Sequence, residues 1–203
     1  MGIRPKRSEG VDSQLAEARR RIAELEADLA ASSRRDQLTQ TLLTLRAFQT
    51  QLQIEIERAE RYGHALSVIA LDIVDFRALN AEHGYAVGDR VLVELGRLMW
   101  ATTRSHDLVC RVGGDGFAIL LSETGAEGAG CVCKRLTQGL ADLEVEPCGG
   151  VSVSIGVAVL SSGQGTDELL AAAHGALDVA RRQGGGSVFA EVEGDSGTAP
   201  ATD

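Results

Sequence analysis

Apolar residues recur along this chain at three different periods, and each period predicts a different kind of element. Val11, Leu15, Ala18, Ile22, Leu25 and Leu29 follow one another at alternating steps of four and three residues, the a/d seam of a coiled coil. Arg19, Arg20, Arg21, Glu24 and Glu26 fill the faces between them. Residues 11–35 therefore read as a stalk that pairs two copies of the chain, preceded by a disordered stretch over 1–10. The competing reading is a single amphipathic helix folded back on the domain.

A helical period follows, with Phe48, Leu52, Ile56 and Ala59 on one face and a stop near Tyr62 and Gly63. Leu66–Ile73 is mostly apolar and predicts a buried strand with one acid, Asp72, near its carboxyl end. A helix is expected from about Gly88 to Thr102, with Val91, Leu92, Leu95, Leu98 and Met99 on one face. Leu108–Val112 and Phe117–Leu121 predict two strands of a hairpin joined through Gly113 and Gly114. Helical spacing returns over about Ala126–Leu143, and strict alternation over Val151–Val159 predicts a further strand.

The last helix is expected to start at Thr166, capped by the Thr166 hydroxyl with Asp167 and Glu168 complementing the helix dipole, and to run to Gln183. After Gly184–Gly186, Ser187–Ala190 predicts an edge strand, and 191–203 a disordered tail. The order β-α-β-β-α-β over 36–190 is that of a ferredoxin-like α+β sheet, with helices on one side and the other face left for a ligand.

Composition narrows the partners. The 203 residues carry a formal net charge of -9, which disfavours nucleic acid and anionic membrane surfaces. Cys110, Cys131, Cys133 and Cys148 contain no C-x-x-C pair, Met1–Gly10 is charged rather than leader-like, and no apolar run reaches the ~20 residues of a membrane span. The expectation is a cytoplasmic protein with reduced thiols. His64, His83, His106 and His174 are scattered and predict packing or surface roles rather than a metal set.

Candidate chemistry lies at the hairpin. In Arg111-Val112-Gly113-Gly114-Asp115-Gly116-Phe117 an acid follows two glycines; glycine admits positive φ and close approach of a phosphate, and an acid beside it can hold a divalent cation. Such turns alone make ordinary hairpins more often than sites. The expected sheet brings the end of the Asp72 strand beside this hairpin, so Asp72 and Asp115 can share one Mg²⁺ with a triphosphate. Asp72 also reads as a strand-end acid capping the next turn, but an acid in so apolar a strand is costly to bury without a partner.

Leu71-Asp72-Ile73-Val74-Asp75-Phe76-Arg77-Ala78-Leu79-Asn80, Gly84, Gly88-Asp89, the Arg111–Phe117 hairpin and Val153-Ser154-Ile155-Gly156-Val157-Ala158, with Asp36-Gln37-Leu38-Thr39 upstream, together resemble the GGDEF family of diguanylate cyclases. That family condenses two GTP molecules into cyclic di-GMP across a two-fold pair of domains. The resemblance implies Asp72, Asp115 and the Ile73 carbonyl as Mg²⁺ ligands, and Asn80 and Asp89 as readers of the guanine edge. It implies Gly113, Gly114 and Arg181 as the phosphate site, with Asp115 as the acid at the reacting end. Arg104-Ser105-His106-Asp107, five residues ahead of Gly113, is similar to the family's product-inhibition motif, and Arg135 to the arginine that completes that site.

The departures fall on the phosphate chemistry. Gly116 stands where the family has a glutamate, Gly185 where it has an arginine, and Arg181 where it has a lysine; Val74, Asp75 and Tyr85 also differ, and Thr44 stands near an expected asparagine. The resemblance thus implies a domain that binds cyclic di-GMP at Arg104, Asp107 and Arg135 with little or no cyclase activity, and that signals to a protein effector. The alternatives are an active, product-inhibited cyclase dimerised by the stalk, and a domain that binds GTP alone as a cue.

Overall fold

The computed structural model describes Glu17, Arg20, Arg21, residues 34–184 and residues 186–189. Glu17, Arg20 and Arg21 are helical and exposed. The rest of the expected stalk, the N-terminal 1–10, Gly185, Ala190 and the tail lie outside the described residues.

The elements in chain order are β1 (Leu43–Thr44), α1 (Leu45–Tyr62), β2 (Leu66–Ile73), α2 (Phe76–His83), α3 (Tyr85–Thr102), β3 (Leu108–Gly113), β4 (Gly116–Ser122), α4 (Ala126–Ala141), β5 (Glu144–Val145), β6 (Gly149–Gly150), β7 (Val153–Val159), α5 (Thr166–Arg182) and β8 (Gly186–Phe189). One six-stranded sheet runs β1-β3-β4-β2-β7-β8, and β5-β6 form a separate ribbon. β2 is central and antiparallel to both β4 and β7, while β1 and β8 add parallel edges. The β3-β4-β2-β7 centre is the expected ferredoxin-like arrangement.

The expectation of one bare sheet face is overturned. Ile69, Leu71 and Ile73 of β2 pack with Val91, Leu92 and Leu95 of α3 and Val132 and Leu136 of α4. Leu66, Val68 and Ala70 pack on the opposite face with Phe48 and Leu52 of α1 and Leu169, Ala173 and Leu177 of α5. Helices therefore cover both faces, and each large side chain sealed between layers contributes roughly 1.5–3 kcal/mol. What remains open to a ligand is the end of the sheet where β2 meets the β3–β4 hairpin.

Two local expectations are also corrected. α5 has Gly165 as its N-cap, with the Gly165 N–H donating to Glu168 Oε2 at 2.8 Å; the Thr166 hydroxyl instead donates to Gln53 Oε1 at 2.7 Å, tying α5 to α1. The helix expected from Gly88 starts three residues earlier, at Tyr85, and is preceded by the separate α2.

α5 lies close on β7 because Gly156 has no side chain. A Cβ there would stand 2.1 Å from the Leu177 amide nitrogen and 2.3 Å from the Ala173 carbonyl oxygen, so any side chain would push the helix off the sheet.

Candidate functional site

Alternation along β2 sets the direction of Asp72. Val68 and Ala70 face α1 and α5, so Asp72 faces the same way, and there it accepts a hydrogen bond from the Arg181 guanidinium of α5. Arg181 also donates to Asp178 at 3.0 Å. Asp72 stands opposite Gly116 on β4 and opposite Ser154 on β7, and cross-strand partners share a face. Position 116 is thus where a carboxylate would join Asp72, and this chain offers none.

Burial raises the Asp72 pKa above its ordinary value; the Arg181 hydrogen bond opposes this, and the adjacent Asp115 carboxylate pushes the same way as burial. The carboxyl groups expected from sequence to meet, Asp72 and Asp115, are therefore neighbours.

The hairpin owes its shape to two glycines. Gly113 and Gly114 have φ of 134° and 56°, values that L side chains rarely adopt. Arg111 fixes the turn from below: it donates to the Gly114 carbonyl at 2.7 Å and to Asp36 Oδ2 at 3.4 Å. The other Asp36 oxygen accepts from the Thr39 amide and hydroxyl, each at 2.9 Å. The segment before β1 and the hairpin tip are thus one hydrogen-bonded unit, a link between Asp36 and Arg111 that sequence reasoning did not draw.

Asp115 joins two lobes of one cleft. A lobe of about 370 Å³ is lined by Asp72, Ile73, Asp75, Asp115, Ser154 and Arg181, and one of about 610 Å³ by Phe76, Asn80, Tyr85, Gly114 and Asp115; Phe76 and Arg77 also line both. Asp75, at φ 54°, turns the chain from β2 into α2 between the lobes. Asn80 sits against α3 because Gly88 makes room: a Cβ on Gly88 would lie 2.0 Å from Asn80 Oδ1. That oxygen is buried without a hydrogen-bond partner. Asp89 is exposed, one residue along α3 from Gly88.

The Arg104–Asp107 turn lies elsewhere, between α3 and β3. Asp107 is 4% exposed, and its Oδ2 accepts from the Arg104 amide at 2.8 Å, while its Oδ1 has no hydrogen-bond partner and lies 4.0 Å from His106 Nε2. Arg104 and, on α4, Arg135 are exposed.

The profile of the family described as "Diguanylate cyclase, GGDEF domain" matches residues 33–187. The chain belongs to the GGDEF family of diguanylate cyclases. This GGDEF domain is 33% identical over 143 residues to the probable diguanylate cyclase DgcC of Escherichia coli, covering 70% of the chain and 38% of DgcC. It is 31% identical over 147 residues to the diguanylate cyclase DosC of Escherichia coli, covering 70% of the chain and 32% of DosC. The chain thus spans well under half the length of these relatives.

Among solved structures, the diguanylate cyclase SiaD of Pseudomonas aeruginosa, in complex with its activator SiaC, is 33% identical with a TM-score of 0.74, covering 91% of this chain and 72% of that one. The GGDEF domain of DgcB from Caulobacter crescentus, in complex with c-di-GMP, has a TM-score of 0.75 at 23% identity, covering 79% of this chain and 98% of that one. At that identity the likeness shows the fold alone.

Diguanylate cyclases generally use Mg²⁺. The donors of this GGDEF domain are a poor fit to a resident ion: Asp72 is engaged by Arg181, Asp115 beside it is the one other carboxylate of the expected set, Gly116 adds none, and Ile73 offers only its carbonyl. Among the described residues, no three His, Cys, Asp or Glu side chains are grouped to hold a metal. No helix among them is long and apolar enough to cross a membrane.

Proposed function

We propose that this chain is a cyclic di-GMP signalling module: a degenerate GGDEF domain that binds cyclic di-GMP through Arg104, Asp107 and Arg135, with little or no cyclase activity. The observation that carries the loss of activity is Gly116 opposite Asp72, with Asp72 neutralised by Arg181 in place of a second metal-binding acid. Guanidinium groups such as Arg104 and Arg135 suit guanine, because each can donate two hydrogen bonds to O6 and N7. Pairing of two copies through the 11–35 stalk and transmission to a protein effector in the cytoplasm complete the reading.

Two measurements test it. Incubation with GTP and Mg²⁺ is expected to yield no sustained cyclic di-GMP, and titration with cyclic di-GMP is expected to show binding that Arg104→Ala abolishes. Steady product formation would overturn the reading.

The second reading is a slow diguanylate cyclase making cyclic di-GMP from two GTP. Its support is that Asp72, Asn80 and Asp115 border one cleft, and Mg²⁺ arriving with GTP needs only one or two carboxylates besides the phosphates. Here Gly113, Gly114 and Arg181 would hold phosphates, Asn80 and Asp89 the base, and Asp115 would act at the reacting end. No product after stripping of any bound nucleotide would exclude it.

A further inference from the structure

The turn between α3 and β3 is closed from both ends. Besides the Arg104 N–H that reaches Asp107 Oδ2 at 2.8 Å, the Asp107 N–H donates to the Arg104 carbonyl at 3.1 Å. Asp107 Oδ1 is left buried without a hydrogen bond, 4.0 Å from His106 Nε2. A carboxylate sealed from water with one oxygen unanswered is best satisfied by a cation beside it. The His106 side chain is 54% exposed, so one ring nitrogen approaches a buried anion while much of the ring stands in solvent beside the exposed Arg104. The elements packed against α3 and β3 bring other charges, each engaged or exposed. Arg97 of α3 pairs with Glu94 at 2.6 Å, Glu55 of α1 with Arg58 at 2.7 Å, Asp36 before β1 with Arg111 at 3.4 Å, and Glu123 after β4 with His64 at 3.4 Å. Glu127, Lys134 and Arg135 of α4 are exposed. Among the described residues, Asp107 is the one charged group within ion-pair reach of His106.

We propose that His106 is a further cation of the cyclic di-GMP site: its imidazolium, held by Asp107, joins Arg104 and Arg135 against the phosphodiesters of the ligand, so that binding takes up a proton. This rests on the reading given under Proposed function. A chain of net charge -9 admits a dianion only where cations gather. Imidazole exchanges its proton between about pH 5 and 8, whereas guanidinium stays charged and phosphodiesters stay anionic throughout that range. Arg104 and Arg135 therefore supply attraction that does not vary with pH, and His106 supplies a component that fades as pH rises. By linkage the converse holds: the bound dianion favours the protonated ring, and formation of the complex draws a proton from the buffer.

The test is calorimetric titration of the whole chain with cyclic di-GMP at pH 6 and pH 8, repeated at pH 7 in two buffers of different ionisation enthalpy. Binding is expected to be about fivefold tighter at pH 6, the upper range for one solvent-exposed ion pair, and the enthalpy at pH 7 to change with the buffer. His106→Asn is expected to bind at both pH values as the wild type does at pH 8. His106→Lys, a permanent cation, is expected to bind at both as the wild type does at pH 6. Wild-type affinities within about twofold of each other at the two pH values, a buffer-independent enthalpy, or a pH dependence that survives in His106→Asn would each overturn the proposal while leaving the Arg104 reading in place. Binding that Arg104→Ala leaves intact, with a pH dependence that His106→Asn removes, overturns the Arg104 reading and supports this one. No binding at either pH overturns both.

Discussion

The turn before β3 and the hairpin after it each carry one aspartate, and the two have opposite fates. Asp107 is folded under its own turn, where the Arg104 amide reaches its carboxylate. Asp115, at a tip opened by Gly113 and Gly114, borders both lobes of the cleft beside Asp72. An acid becomes part of the scaffold when a local N–H turns toward it, and it stays available when the backbone turns away. The first therefore shapes the loop that carries Arg104, and the second lines the cleft.

The largest effect expected on this contrast comes from a residue that touches neither acid. Gly156→Val forces a side chain into the α5 backbone and moves the helix that carries Arg181. A loss of about 3 kcal/mol is expected in urea denaturation; unchanged stability would show that α5 is not held as closely as described. Next comes Asp107→Ala, expected to cost about 1–2 kcal/mol by removing a buried acceptor from its turn. Asp115→Ala, measured beside it, should stay within about 0.5 kcal/mol. Equal losses would erase the distinction between the two acids.

Acid titration sharpens the cleft side. Because the folded-state pKa of Asp72 is raised, mainly by burial and further by Asp115 despite the Arg181 hydrogen bond, the folded chain holds this proton more tightly than the unfolded one. The associated stability is fully present below the ordinary aspartate pKa of about 3.9 and is lost as pH rises through the folded value. Wild type should therefore lose stability relative to Asp72→Asn as pH increases from about 4. The opposite slope would mean that Arg181 outweighs burial.

The smallest stability effect is expected from Gly116→Glu. A Cβ at 116 meets nothing nearer than the Gly113 carbonyl at 3.4 Å, an ordinary contact, so a change within about 0.5 kcal/mol is expected. Acquired turnover of GTP in this variant would show that the missing carboxylate alone separates binding from catalysis.

Much of the fold was legible because the β2 residues Leu66–Leu71 and the β4 residues Phe117–Leu121 declare themselves as buried strands. The same continuity contained the correction: a strand apolar on both sides needs cover on both faces, which the one-sided reading overlooked. α2 escaped notice because it is eight residues long and none of them is fully buried, Phe76 and Leu79 being only partly covered by the core. Thr166 looked like a cap because the nearby Gln53 partner comes from another helix, 113 residues away. At the site, the glycines of the hairpin were plain from their spacing, whereas the engagement of Asp72 by Arg181 spans 109 residues and leaves no local trace.

By itself, the amino-acid order determined the longer strands and helices, the di-glycine bend and the family, because these depend on short-range periodicity and on backbone freedom at single residues. Tertiary structure alone decided which acids remain available, that Arg181 neutralises Asp72 and that Tyr85 borders the cleft. Those outcomes depend on charges and rings brought together by packing α5, α2 and α3 around the end of one sheet, where distance in space replaces distance along the chain.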